Sequence, residues 1–169
     1  MVAETLSSSL PEDVEALVHR VLERSNTHKL SLVAAESCTG GLLASLLTDI
    51  DGMGHVFERG FVVYSEEAKC DLLGIARTTV DKCGAVSEPV ARAMAKGALA
   101  HSNGDIAVSI TGFAGPAGPD DEPGLVHFAC ARRDHAVNHR ERHFGEIGRG
   151  ATRIAAIRVA LEMLDEAIG

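Results

Sequence analysis

Tryptophan is absent, and tyrosine occurs once, at Tyr64, beside five phenylalanines. Proteins that bind single-stranded nucleic acid stack bases on several surface aromatics, so that role is poorly supported. Positive charge is also scarce. Sixteen Lys and Arg face twenty-four Asp and Glu, a net charge of −8. Such a chain has no basic footprint for duplex nucleic acid or an anionic membrane. An anionic ligand would have to be held by backbone amides and a few placed cations. No apolar run approaches the ~18 residues of a membrane span. Met1-Val-Ala-Glu-Thr5 lacks the basic region and apolar run of a signal peptide. Cys38, Cys70, Cys83 and Cys130 form no C-x-x-C, which excludes a zinc ribbon and a thioredoxin motif. The expectation is a cytoplasmic protein with reduced thiols.

What is present is globular: 46% of the 169 residues are hydrophobic and 24% charged. A single domain over 1–169 is expected, since domains commonly run to about 100–200 residues. Ser9-Leu-Pro-Glu12 is a capping-box pattern, and Val14, Leu17, Val18, Val21 and Leu22 have helical spacing, which predicts a helix over 10–26. Residues 29–36 read as a buried strand, 40–50 as a helix and 57–64 as a second strand. Ser65 caps a short helix that Gly74 stops, and Ser87-Glu-Pro89 opens another. Residues 105–111 read as an alternating strand and 112–124 as a Gly/Pro-rich loop. Residues 125–131 and 136–144 read as an antiparallel pair, followed by a last helix over 148–168. This order predicts an α/β fold: three α/β/α layers around a mixed, mostly parallel sheet of about five strands.

The segment Ala35-Glu-Ser-Cys-Thr-Gly-Gly41 lies where a buried strand meets a helix. Ligands bind at the carboxyl ends of strands in open α/β sheets. Ser37, with Thr39, Gly40 and Gly41 beside it, has the parts of a nucleophile and an oxyanion hole. The plainer reading is that Ser37 or Thr39 caps the helix. Cys38 is the weaker nucleophile, since a free Cys is commonly a small buried hydrophobe. Lys69 could serve as base if desolvated, or could pair with Glu66 on a solvated face. His139 and His143 fit an exposed strand face better than a metal site, and His127 and Cys130 point to opposite faces. Arg149 and Arg153 stand one turn apart at the start of the last helix, against its dipole. They would suit a phosphate or carboxylate, or would pair with acids such as Glu146. Thr111 and Gly112 end a third strand and could frame the same cleft.

Six collinear segments carry a resemblance. They are Ala35-Glu-Ser-Cys-Thr-Gly-Gly41, Arg59-Gly-Phe-Val-Val-Tyr64-Ser-x-x-Ala-Lys69, Leu72-Leu-Gly-Ile75, Gly84-Ala-Val-Ser-Glu-Pro89, Thr111-Gly-x-Ala-Gly-Pro116 and Gly148-Arg149-x-x-x-Arg153. In order and spacing the chain resembles the C-terminal domain of the CinA (competence/damage-inducible) proteins, which also occurs alone as nicotinamide-nucleotide amidohydrolase. The resemblance runs from about residue 10 to the C-terminus. A chain of this length is too short to hold the family's N-terminal pyrophosphatase-like domain as well. The Pro119-Asp-Asp-Glu-Pro-Gly124 loop is short and acidic where the family often has a longer one with Lys-Pro-Val-Gly. Gly145-Glu-Ile-Gly-Arg149 replaces the usual Gly-Asp-Arg.

The resemblance implies hydrolysis of nicotinamide mononucleotide to nicotinic acid mononucleotide and ammonia, a pyridine-nucleotide salvage step. It implies Ser37 as nucleophile, with Lys69 and Tyr64 assisting. Thr111 and either Arg149 or Arg153 would belong to the substrate site. No metal or cofactor is implied. We expect amides from Thr39 to Gly41 to hold the oxyanion and the Tyr64 hydroxyl to bond Lys69 or relay a proton. Other classes remain open: a non-catalytic nucleotide-binding or regulatory module, or an amidase for another small amide. The wide apolar helix faces make a homo-oligomer, first of all a dimer, the expected assembly.

Overall fold

The computed structural model describes residues 10–169. Helix α1 (Glu12–His28) leads into strand β1 (Leu32–Glu36) and a five-residue helix α2 (Leu42–Leu46). A 3-10 turn (Gly54–Val56) enters β2 (Phe57–Val62), followed by α3 (Glu66–Leu73), α4 (Arg77–Cys83) and α5 (Glu88–Ala100). Strands β3 (Ile106–Gly112), β4 (Leu125–Arg132) and β5 (Asn138–His143) precede the closing helix α6 (Arg149–Ile168).

The strands form one five-stranded sheet in the order β2-β1-β3-β4-β5. β1 is parallel to both β2 and β3, and β4 is antiparallel to both β3 and β5. Four strands therefore run the same way and β4 alone opposes them, so the pairings divide equally into parallel and antiparallel. The connection from β1 to β2 passes through α2, and that from β2 to β3 through α3, α4 and α5. The two connections lie on opposite faces, and in open sheets of this kind ligands bind at the carboxyl ends of the strands where the connections diverge, here β1 and β3.

Two cores flank the sheet. Leu32, Ala34, Val108, Ile110 and Phe128 pack against α1, α2 and α6. Val33, Ala35, Ala107 and Ala129 pack against α3, α4 and α5. β1 is buried along its whole length. β3 is buried up to its last residue, so its alternation sorts residues between two cores and not between core and water. The edge strand β5, Asn-His-Arg-Glu-Arg-His, carries charges that discourage further strand pairing.

The boundaries shift for local reasons. Ser9 of the expected capping box lies outside the described residues, and Pro11 is the N-cap of α1. α1 continues to His28, because Lys29 adopts a left-handed conformation (φ 55°) that ends it, and β1 starts three residues later than predicted. The helix predicted over 40–50 holds α-helical geometry only over Leu42–Leu46. Ser65 and Ser87 cap α3 and α5 by accepting bonds from the Ala68 and Val90 amides, and Gly74 closes α3 as expected. α4 was not anticipated.

Candidate active site

The catalytic candidates meet at the carboxyl end of β1. Leaving the strand, the Ser37 amide donates to the Ile110 carbonyl of β3 at 3.0 Å, and the Val63 amide donates to the Glu36 carbonyl at 2.8 Å. The first residues after β1 are thus clamped between its two parallel neighbours. The chain turns at once, and the Gly40 amide donates back to the Ser37 carbonyl at 3.1 Å. Gly40 and Gly41 have φ of 61° and 97°, a conformation that a side chain strains.

Lys69 of α3 reaches into this turn. It is only 1% exposed, although α3 is an outer helix. Its Nζ lies 3.0 Å from Ser37 Oγ, 2.9 Å from the Val63 carbonyl oxygen and 3.4 Å from the Tyr64 carbonyl oxygen. No carboxylate pairs with it among the described residues. Glu66, the local alternative partner, bonds Arg77 instead. Burial holds the Lys69 amine below its ordinary value, with nearby Cys38, Glu66 and Cys70 opposing in part. Cys38 is also buried, which pushes its thiol up to about 11. The thiol therefore stays protonated near neutral pH, and it is the Ser37 hydroxyl that has the Lys69 amine within hydrogen-bond reach.

Tyr64 contributes differently from expectation. Its contact with Lys69 is made by the backbone carbonyl, not the hydroxyl. The residue is 65% exposed and lies two residues beyond the end of the edge strand β2, at the rim of the site. Thr39 is buried, and its hydroxyl donates to the Glu36 carboxylate at 2.5 Å. The amide set also differs from the expected run of Thr39 to Gly41. Gly40 is engaged in the turn, while the Cys38, Thr39 and Gly41 amides have no partner among the described residues. Thr111 is buried and donates to the Ala85 carbonyl at 2.8 Å, which ties β3 to the segment before α5. Gly112 packs so closely on β4 that a Cβ would stand 2.6 Å from Val126 Cγ2.

The two arginines separate. Arg153 Nε donates to the Cys38 carbonyl at 2.9 Å and so braces the turn from α6. Arg149, one helical turn earlier, is exposed and has no hydrogen-bond or ion-pair partner among the described residues. Its guanidinium lies over Gly115, where a Cβ would stand 2.3 Å from Nη2. A cavity of about 210 Å³ lies between the 112–124 loop and the start of α6, lined by Gly115, Pro116, Gly124, Gly148 and Arg149. It does not include Ser37 or Lys69; the first two turns of α6 join it to them.

The remaining candidates stand apart. His127 and His139 stack with ring centroids 5.3 Å apart, and His127 Nδ1 is 3.1 Å from His139 Nε2. His143 pairs with Glu122 of the acidic loop and with Glu141, each at 2.6 Å, so it ties that loop to β5. No group of three or more His, Cys, Asp or Glu among the described residues is placed to hold a metal ion. No described helix is long and apolar enough to cross a membrane.

Sheet order, crossover arrangement and a buried Ser–Lys pair at a strand end define an α/β domain with a hydroxyl and an amine in contact at the carboxyl end of its sheet. The profile of the CinA C-terminal domain matches residues 14–168, and the chain belongs to that family. It is 47% identical over 137 residues to a nicotinamide-nucleotide amidohydrolase, PncC, of Escherichia coli (strain K12), covering 79% of this chain and 82% of that protein. It is 42% identical over 165 residues to a CinA-like protein of Chlorobium limicola, but spans only 38% of that protein's length. The crystal structure of the competence/damage inducible protein CihA from Agrobacterium tumefaciens superposes with a TM-score of 0.90 at 45% identity, covering 94% of this chain and 97% of that one.

Proposed function

We propose that this chain hydrolyses the carboxamide of nicotinamide mononucleotide to nicotinic acid mononucleotide and ammonia. The observation that carries the chemistry is the buried Lys69 amine, 3.0 Å from the Ser37 hydroxyl and without a carboxylate partner among the described residues. A neutral lysine has two N–H bonds and one lone pair. With the N–H bonds given to the Val63 and Tyr64 carbonyls, the lone pair is left for the Ser37 hydroxyl. Lys69 then takes the proton as Ser37 Oγ attacks the amide carbon. The Cys38, Thr39 and Gly41 amides are the donors available to the oxyanion. Lys69 returns the proton to the departing nitrogen, which leaves as ammonia. A water, deprotonated by the same amine, adds to the nicotinoyl ester and releases the acid and Ser37. Each proton taken is given back, so the cycle balances with water alone.

The choice of substrate is supported by the amidohydrolase relative and by the placement of the free cation. Arg149 beside the 112–124 loop suits the phosphate, while Arg153 is committed to the turn and keeps its two terminal nitrogens for the substrate. With one tyrosine and no tryptophan, ring stacking has few candidates, and the Gly-rich exits take most of the recognition. We include a dimer in the proposal, to be read by light scattering of the purified protein. The test of function is ammonia release from nicotinamide mononucleotide. Ser37→Ala should still bind the mononucleotide and lose turnover by about 10³-fold or more. Turnover on a different small amide alone would redirect the substrate assignment, and near-normal turnover by Ser37→Ala would remove the nucleophile.

A further inference from the structure

Glu36 closes β1 on the face that buries Leu32 and Ala34, and it is only 1% exposed. A carboxylate buried without a counter-ion is costly, and an apolar residue would extend that stripe more cheaply. No Lys, Arg or His pairs with Glu36 among the described residues. Instead it takes three donors. Oε2 accepts from Thr39 Oγ1 at 2.5 Å and from the Leu43 amide at 3.1 Å, and Oε1 accepts from the Ala44 amide at 2.8 Å. The side chain thus spans from the end of the strand to the first turn of α2, with Ser37 and its neighbours in between.

Helix α2 has only five residues, too few to hold itself, so its start depends on this contact. The same contact occupies two first-turn amides of α2, while those of Cys38, Thr39 and Gly41 have no partner among the described residues. It also engages the Thr39 hydroxyl as a donor, while the Thr39 amide stays available to the oxyanion.

We propose that Glu36 is a positioning residue for the hydrolysis, its buried carboxylate and Thr39 fixing the turn that presents Ser37 and the oxyanion amides. This rests on the Ser37 reading. Removing the tie leaves the substrate's cavity in place and displaces the reacting groups, so kcat falls while KM holds.

The test compares Glu36→Gln, Thr39→Val and Thr39→Ser in the full chain, with Ser37→Ala alongside. Glu36→Gln keeps shape and loses one acceptor oxygen. Its kcat should fall about 30–100-fold with KM within about threefold, the scale of a misplacement near 1 Å. Thr39→Val should fall about tenfold, Thr39→Ser should recover to within about threefold of the parent, and Glu36→Gln with Thr39→Val should be no worse than Glu36→Gln alone. Rates are referred to folded protein by circular dichroism at the assay temperature. If Glu36→Gln does not fold, the Thr39 pair decides. The proposal is overturned if kcat per folded molecule stays within threefold of the parent in Glu36→Gln, or if Thr39→Val and Thr39→Ser behave alike. Should Ser37→Ala turn over normally, the nucleophile reading fails instead, which is a separate outcome.

Discussion

Two glycine-bearing exits leave adjacent parallel strands at the same end of the sheet, and they are built in opposite ways. The exit from β1 is braced from every side. Glu36 ties it to α2, Arg153 holds the Cys38 carbonyl, Lys69 bonds Ser37, and the Ser37 amide is fixed to β3. The exit from β3 has few ties. The Phe113 and Gly124 amides close its base, and the His143–Glu122 pair holds its acidic far end. Its neighbour Arg149 has no protein partner among the described residues. Groups that must meet reacting atoms within tenths of an ångström are locked before substrate arrives. The cation proposed for the ligand's charge has no protein partner among the described residues. Under the proposed function, bond-making falls to the first exit and recognition to the second.

The strongest way to break that contrast is to remove the base. Lys69→Met should cost about 10³-fold or more in ammonia release, and adding Ser37→Ala should cost little further, because the two act as a unit. The pH profile sharpens it. Burial lowers the Lys69 amine from its ordinary value of 10.5, so the rising limb of kcat/KM should lie below that value. The stability effect has a definite sign. Between the lowered folded value and 10.5 the unfolded chain binds more protons, so the wild type gains stability as pH rises through that window. Melting temperatures of wild type and Lys69→Met at pH 7 and pH 9.5 should shift relative to each other in favour of the wild type at the higher pH. An unchanged difference would mean that the amine is not held neutral by burial.

The next test sets the two exits against each other through one helix. Arg149→Ala should raise KM by about 10–100-fold with kcat nearly kept, the pattern of a lost charge-assisted contact. Arg153→Ala should lower kcat by about tenfold, because the Cys38 carbonyl loses its brace. Steady-state kinetics of both variants decide the matter. If both raise KM alone, Arg153 belongs with recognition and the contrast fails.

Much of this arrangement could be read from residue types. Helix starts at Ser65 and Ser87, the stop at Gly74 and the buried run of β1 all follow local rules, and so does the placement of Ser37 at a strand end. What escaped is non-local. Arg-Thr-Thr-Val-Asp-Lys-Cys buries only Val80, so α4 shows no apolar period. Lys69 has an acid three residues before it, yet Arg77 takes that acid and leaves the amine to bury itself. Glu36 ends the apolar run of the predicted strand; its donors lie three residues ahead, in the turn at Thr39, and seven and eight ahead, in a helix too short to be predicted with its true bounds. The separate duties of Arg149 and Arg153 depend on how α6 docks over the 38–40 turn, which spacing within α6 does not encode.

The smallest effect is expected at Tyr64. The resemblance assigns it to the catalytic group, and its place beside Lys69 fits, but the contact uses a carbonyl that every residue possesses. Tyr64→Phe keeps that carbonyl and removes only a hydroxyl at an exposed position. If the backbone supplies the assistance, ammonia release should fall by less than about fivefold, and the pH limb set by Lys69 should not move. If the phenol swings in over bound substrate to pass the proton to ammonia, kcat should fall by about 10²-fold or more, the usual worth of a positioned proton donor. That second result would show that the rim of the first exit closes on substrate, and that being held in place beforehand stops at Lys69.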